Sequence, residues 1–195
     1  MPHTFDAARF KRLMSAERRQ ELPPRPILEK IGLHPGQVFV DIGAGPGFFA
    51  IPAAEIVGPR GRVFGLDIAP VMAEELRKNA ARKRAANIRV GIIPKTAAKL
   101  PPGADFYFLA NVFHEVDDRK AYLRNIRRHM SASSRLVIID YLKKKTKRGP
   151  RLSHRVPLKA LRALLVETGF VVERIFRPNE MEYAVIARPA AGGHR

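Results

Sequence analysis

The sequence predicts an α/β fold: a doubly wound sheet of seven strands, mostly parallel, with an antiparallel last strand. Three observations carry this. Short runs of β-branched and aromatic residues alternate with segments of helical spacing. The first such run, Val38-Phe39-Val40-Asp41-Ile42, passes straight into Gly43-Ala44-Gly45-Pro46-Gly47 and then a helical pattern, which is the order strand, glycine turn, helix. The last two runs, Val171–Arg177 and Glu182–Arg188, have no helical segment between them, so they pair antiparallel.

Taken in order, residues 3–24 form a basic leader in which Phe5, Phe10, Leu13 and Met14 recur at helical spacing among Arg9, Lys11, Arg12, Arg18 and Arg19. Ser15 caps a second short turn and Pro23-Pro24 ends it. A short helix spans Pro26 to Gly32, a strand 37–42, a helix 47–57 and a strand 62–67. Pro70 opens the next helix, where its missing N–H costs nothing, and Met72, Leu76 and Ala80 share one face. Strands follow at 88–93 and 104–110, then a helix from Asp117-Asp118 through Met130 with Leu123, Ile126 and Met130 inward. A fifth strand covers 134–142, and a helix from Pro157 to Thr168 stops at Gly169.

At 195 residues and 46% hydrophobic content, the chain makes one domain with a sizeable core. The expected organisation is a leader over 1–25, the domain over 26–189 and a disordered tail over 190–195. There is no run of about 18 apolar residues and no apolar signal-peptide core, and there are no cysteines, so a cytoplasmic protein is expected. The absence of Cys also excludes thiolate zinc sites and cysteine-nucleophile chemistry, and no metal is expected. Few Asn and Gln with many charges fit a thermophile, and an Ala- and Arg-rich composition from a GC-rich genome fits equally.

The net charge of +18 implies anionic partners. Its densest run, Lys143-Lys144-Lys145-Thr146-Lys147-Arg148, follows the fifth strand and so emerges where open parallel sheets bind ligands. It reads either as a rim that steers an anionic acceptor, or nucleic acid, to the site through Lys143, Lys144, Lys145, Lys147 and Arg148, or as a solvated loop. With no Trp and four Tyr, aromatic stacking platforms for single-stranded RNA are sparse.

The glycine spacing separates the loop from its relatives. Gly43-x-Gly45-x-Gly47 is not the G-x-G-x-x-G of dinucleotide sites, and no Gly-Lys-Ser/Thr follows as a P-loop needs. Asp67 closes the second strand, where a carboxylate can accept both ribose hydroxyls. With Asp105–Val116 as fourth strand and loop and Leu136–Tyr141 as fifth, residues 26–188 resemble the class I S-adenosylmethionine-dependent methyltransferases, a Rossmann-like group. The nearest likeness is to the small-molecule enzymes similar to the ubiquinone/menaquinone C-methyltransferases.

That resemblance implies S-adenosyl-L-methionine as donor and S-adenosyl-L-homocysteine as product. It implies that Gly43, Ala44, Gly45 and Gly47 approach the methionine part, Asp41 its ammonium, Asp67 the ribose, Ile68 the adenine, and Asn111 the donor methyl. One departure stands out: Pro94-Lys95-Thr96-Ala97-Ala98-Lys99 lacks the acidic residue the group carries near the adenine amino group, which leaves Thr96 or backbone groups for that contact. His114 reads either as general base or as a structural histidine bonded to the loop, with Tyr141 and His154 as rim candidates and Glu115 directed elsewhere. The leader is expected as a lid or as a surface arm. The functions in play are methylation of a small, anionic or conjugated metabolite, methylation of structured RNA or a ribosomal protein, and donor binding without turnover.

Overall fold

The computed structural model describes residues 13–191. The leader's Phe5 and Phe10 and the tail beyond 191 lie outside them. Helix α1 (Ala16–Glu21) is capped as expected, Ser15 Oγ accepting from the Arg18 N–H at 3.2 Å. Helix α2 runs Pro24–Lys30, starting and ending two residues before the expected 26–32, because Pro24 serves as a first helical residue rather than as a stop.

Strands β1 (Val38–Ile42), β2 (Arg62–Asp67), β3 (Ile88–Ile92), β4 (Phe106–Ala110), β5 (Arg135–Tyr141), β6 (Phe170–Phe176) and β7 (Glu182–Pro189) form one sheet in the order β3-β2-β1-β4-β5-β7-β6. β7 runs antiparallel to both of its neighbours, and the pairs among β1 to β5 are parallel. This is the predicted Rossmann-like architecture. In β6 the register shifts between Val172 and Arg174, a bulge at the sheet edge.

Alternation along the strands sorts the core into two layers. Phe39, Phe106 and Phe108 face helices α2, α3 (Ala50–Val57) and α4 (Pro70–Arg82). Val40, Tyr107 and Leu109 face α5 (Arg119–His129) and α6 (Leu158–Glu167). The chain winds outward from β1 through β2 to β3, then returns to β4 and winds the other way, so β1 and β4 are neighbours with diverging connections. Such a switch point opens a crevice at the carboxyl ends of the strands. Ile42, Asp67, Ala110 and Tyr141 all end there, and so does Glu182, which pairs with Tyr141 at the start of the antiparallel β7.

Gly65 and Gly47 are what let the fully buried Leu76 of α4 lie close to the sheet. A Cβ on Gly65 of β2 would sit 2.4 Å from Leu76 Cδ2, and one on Gly47 would sit 2.5 Å from Cδ1. Gly65→Ala should therefore cost about 1–3 kcal/mol through overpacking. In a Leu76→Ala background, denaturant unfolding should show that cost abolished or reversed, because the added methyl then fills space that Leu76 vacated.

Candidate active site

The loop from Gly43 to Phe49 leaves β1 and delays α3 to Ala50, three residues later than the spacing predicts. The backbone donors of Gly43, Ala44, Gly45 and Gly47 are all taken within the protein. Gly43 and Ala44 both donate to Leu66 O (2.7 and 2.9 Å), Gly45 donates to Asp67 Oδ2 (2.9 Å), and Gly47 donates to Ala44 O (3.0 Å). Of the three glycines, Gly43 packs where a Cβ would meet Val112 at 2.4 Å and Gly47 is closed by Leu76 and Ile51. Gly45, at φ +52°, faces open space. Only Gly45 thus presents bare backbone to a ligand.

Asp67 has its other oxygen on the Ala69 N–H at 2.9 Å, so one carboxylate ties the end of β2 to both the glycine loop and the start of α4. Beside it Ile68 and Ile92 are exposed by 47% and 56%, an apolar ledge of the kind that a flat ring covers. Thr96 is exposed, and its carbonyl is held by Asn125 Nδ2 at 2.9 Å.

Asp41 is buried at 3% exposure, and its Oδ2 has no hydrogen-bond partner. Burial, then the negative charge of Asp67, push its pKa up to about 7, against the opposing pull of Arg18 and of the Ala50 N–H. Asn111, in left-handed backbone at φ +61°, follows β4 and bonds Glu182 through its side chain, while its Oδ1 is buried without a partner. Two buried acceptors with no donor thus border the crevice, an arrangement completed by a cationic or N–H-bearing ligand.

His114 lies on a 3-10 turn, Phe113–Glu115, behind β4. Its Nδ1 donates to Asp140 Oδ1 at 2.8 Å and its backbone N–H to Asp140 Oδ2 at 2.8 Å, and Asp140 has no exposed surface. Because an ionised carboxylate only accepts, this pairing leaves the lone pair of the neutral ring on Nε2. Glu115 does not point elsewhere: its Oε1 lies 3.8 Å from His114 Nε2, since the tight turn keeps successive side chains close. The Tyr141 ring stands edge-on to His114 at 6.3 Å and under the Arg155 guanidinium at 5.1 Å. Burial raises the Tyr141 pKa, and the Glu182 carboxylate beside it is raised by burial too. His154 is exposed, and Tyr141 half-buried.

The leader completes the wall. Arg18 of α1 stacks 4.0 Å over the Phe48 ring, in the fields of Glu182, Tyr141 and Asp41, its pKa lowered by burial. Arg148 is not a free rim cation: it donates to Glu17 and, at 2.6 Å, to Glu21, both on α1. These groups bound a cavity of about 420 Å³ with Asn111, His114, Tyr141 and Glu182 on its lining. A larger concavity, about 1040 Å³, lies around Arg124, Arg128, Thr168 and Pro189 and shares no lining residue with the cavity that holds His114.

A family model described as a methyltransferase domain matches residues 33–174. The chain belongs to that family. It is a class I methyltransferase, and its cofactor is S-adenosyl-L-methionine.

Among solved structures, a SAM-dependent methyltransferase from Aquifex aeolicus is similar at TM-score 0.89 and 25% identity, over 96% of this chain and 100% of that one. Among curated proteins, the aklanonic acid methyltransferase DauC of Streptomyces sp. (strain C5) is 42% identical over 66 residues, 34% of this chain and 30% of that protein. The ribosomal RNA large subunit methyltransferase E of Haloquadratum walsbyi is 28% identical over 148 residues, covering 51% of this chain and 58% of that protein. The chain thus spans 30% and 58% of the lengths of these two curated relatives.

The residues present fit the cofactor. The open face of Gly45, the two unpartnered acceptors Asp41 Oδ2 and Asn111 Oδ1, and the Ile68–Ile92 ledge lie at one crevice and suit a bare approach, an ammonium and an aromatic base respectively. Among the described residues no group of three metal-ligating side chains converges. Residues that the sequence reading did not assign are Arg18, Asp140 and Glu182. Of these only Asp140 left a signal, as a lone charge in the apolar run Leu136–Tyr141.

The raised pKa of Asp41 sets a stability sign. The folded state holds a proton that the unfolded state releases above about pH 4, so this group costs stability as pH rises from about 4 to 7. Asp41→Asn should therefore raise the melting temperature at pH 8 by a margin that shrinks towards pH 5. S-adenosylhomocysteine should bind wild-type protein more tightly above pH 7 than below it, and Asp41→Asn should bind weakly with no such step.

Proposed function

We propose that the methyltransferase acts on a small acceptor that carries an ionisable proton at the reacting atom and an anionic group elsewhere, in the cytoplasm. The observation that carries this is the His114–Asp140 pair at the wall of the acceptor cavity. When bound, the cofactor supplies an electrophilic methyl group on a sulfonium. On the donor side, Asp41 holds the ammonium and Arg18 the carboxylate, because the loop donors of Gly43, Ala44, Gly45 and Gly47 are already used. Asp67 holds the ribose, Ile68 the adenine face and Thr96 its edge, and Asn111 lies beside the methyl. Helix α1 acts as the lid, drawn onto the rim by Arg148 and anchored by Arg18, and it keeps water from the cavity.

On the acceptor side, His114 Nε2 takes the proton as the methyl transfers. Asp140 fixes the ring's tautomer and stabilises the imidazolium that forms. Tyr141 shapes the cavity wall, held by Arg155 behind it. His114→Ala should lower kcat about 10²-fold while S-adenosylhomocysteine affinity stays within about twofold. Asp140→Asn, which loosens the control of the ring's tautomer, should lower kcat while S-adenosylhomocysteine affinity is kept. Full kcat in His114→Ala would leave the histidine an architectural role alone.

The similarity to a ribosomal RNA enzyme and the +18 charge favour a second reading, methylation of structured RNA. Incubation with methyl-labelled donor and cell extract, split into metabolite, RNA and protein fractions, separates the readings. Label in the metabolite fraction is the expected result; label in RNA replaces it, and no label at all leaves donor binding without turnover.

A further inference from the structure

The basic segment after β5 divides into a braced half and an unbraced one. Arg155, only 5% exposed, donates to the carbonyls of Leu142, Lys144, Arg148 and Pro150 at 2.7–3.1 Å. Arg148 is committed to Glu17 and Glu21. These two arginines fold the segment into a fixed rim. Lys144, Lys145 and Lys147 form no ion pair among the described residues. The carbonyls of Leu142, Lys144, Arg148 and Pro150, which would otherwise compete for the ammonium groups, are taken by Arg155.

The three lysines line a second cavity of about 450 Å³. It shares Glu21, Lys147 and Met181 with the cavity that holds His114, so the two are contiguous. The polar neighbours are occupied: Thr146 donates to Arg148 O, and Asn179 donates to Glu21 O and Glu182. What remains facing the space is the three ammonium groups with two carboxylates, Glu21, which Arg148 already engages, and Glu180, which offsets one lysine. Three ammonium groups against Glu180, the lining carboxylate that forms no ion pair among the described residues, leave a surplus that a dianion neutralises and a monoanion does not, and lysine binds phosphate as a point charge.

We propose that this cavity is a phosphate subsite, holding the phosphate or pyrophosphate end of a small acceptor whose nucleophilic end lies at His114. The proposal rests on the methyl-transfer reading above and names its substrate class. The braced rim pre-forms the site, so little ordering is needed when the anion arrives.

Inorganic pyrophosphate is the probe, followed by calorimetry and by the side-chain amine signals of the lysines in NMR. Wild-type protein should bind it with shifts confined to Lys144, Lys145 and Lys147. Affinity should drop about tenfold or more between about 0.02 M and about 0.2 M salt. A Lys144→Ala/Lys145→Ala/Lys147→Ala variant should lose that binding, and S-adenosylhomocysteine affinity, read separately, reports the donor site. Unchanged pyrophosphate binding in the variant, or shifts centred on Arg124 and Arg128 at the larger concavity, would overturn the subsite. So would a lysine-dependent preference for a single-stranded RNA over pyrophosphate by more than about a hundredfold, which would assign the rim to a polymer backbone. Failure of S-adenosylhomocysteine to bind wild-type protein would sink the methyl-transfer reading without touching the pyrophosphate result.

Discussion

The end of β2 governs the donor crevice. The Leu66 carbonyl accepts from both Gly43 and Ala44, and the Asp67 carboxylate from Gly45 and Ala69. Four backbone donors on two elements thus converge on two adjacent residues. The glycine loop has no regular structure of its own over 43–49, so these bonds hold it open against the sheet. They also place the start of α4, whose Leu76 then closes on Gly47 and Gly65. The carboxylate is therefore architectural before any ligand arrives. Its remaining lone pairs are presented at a fixed place, which is what a site for a ribose needs.

The acceptor side is built from opposite materials. There the wall is made of long charged side chains that reach across from different parts of the chain: Arg18 from α1, Arg148 from the rim to Glu17 and Glu21, and Glu182 from β7. Such groups are separated by over a hundred residues and meet only in the folded state. Burial costs Arg18 and Glu182 solvation that their mutual attraction offsets in part. Asn179 contributes the most economical tie, bonding both the end of α1 and Glu182.

The order of strands and helices was readable because each run declares its period locally, and the ends fell within a few residues of the spacing. The exceptions have physical causes. Pro24 looked like a terminator because a proline ends one helix and starts another by the same property, a missing N–H. The helix expected from residue 47 starts only at Ala50, because tertiary bonds from Gly43, Ala44 and Gly45 to Leu66 and Asp67 hold the loop against the sheet. The donor-side residues cluster within motifs and were visible. Arg18 and Glu182 were not, since a basic leader and a strand's first residue carry no local mark of the pocket they enter. The basic rim was read as uniform, and only the folded chain separates Arg148, which is paired, from the lysines beside it.

The bulge in β6 bears on how this protein behaves in company. An edge strand offers unpaired backbone groups to any other chain, and Val171 and Ile175 on β6 are partly exposed. The register shift at Glu173 interrupts the strand where a straight edge would template another, and Glu173 is itself pinned by Arg135 and Arg188. A strand added from a second molecule would lose register midway and meet the Glu173 ion pairs at the same point. Strand addition at this edge is thus opposed by the geometry of one residue, before the mutual repulsion of a strongly basic chain comes into play.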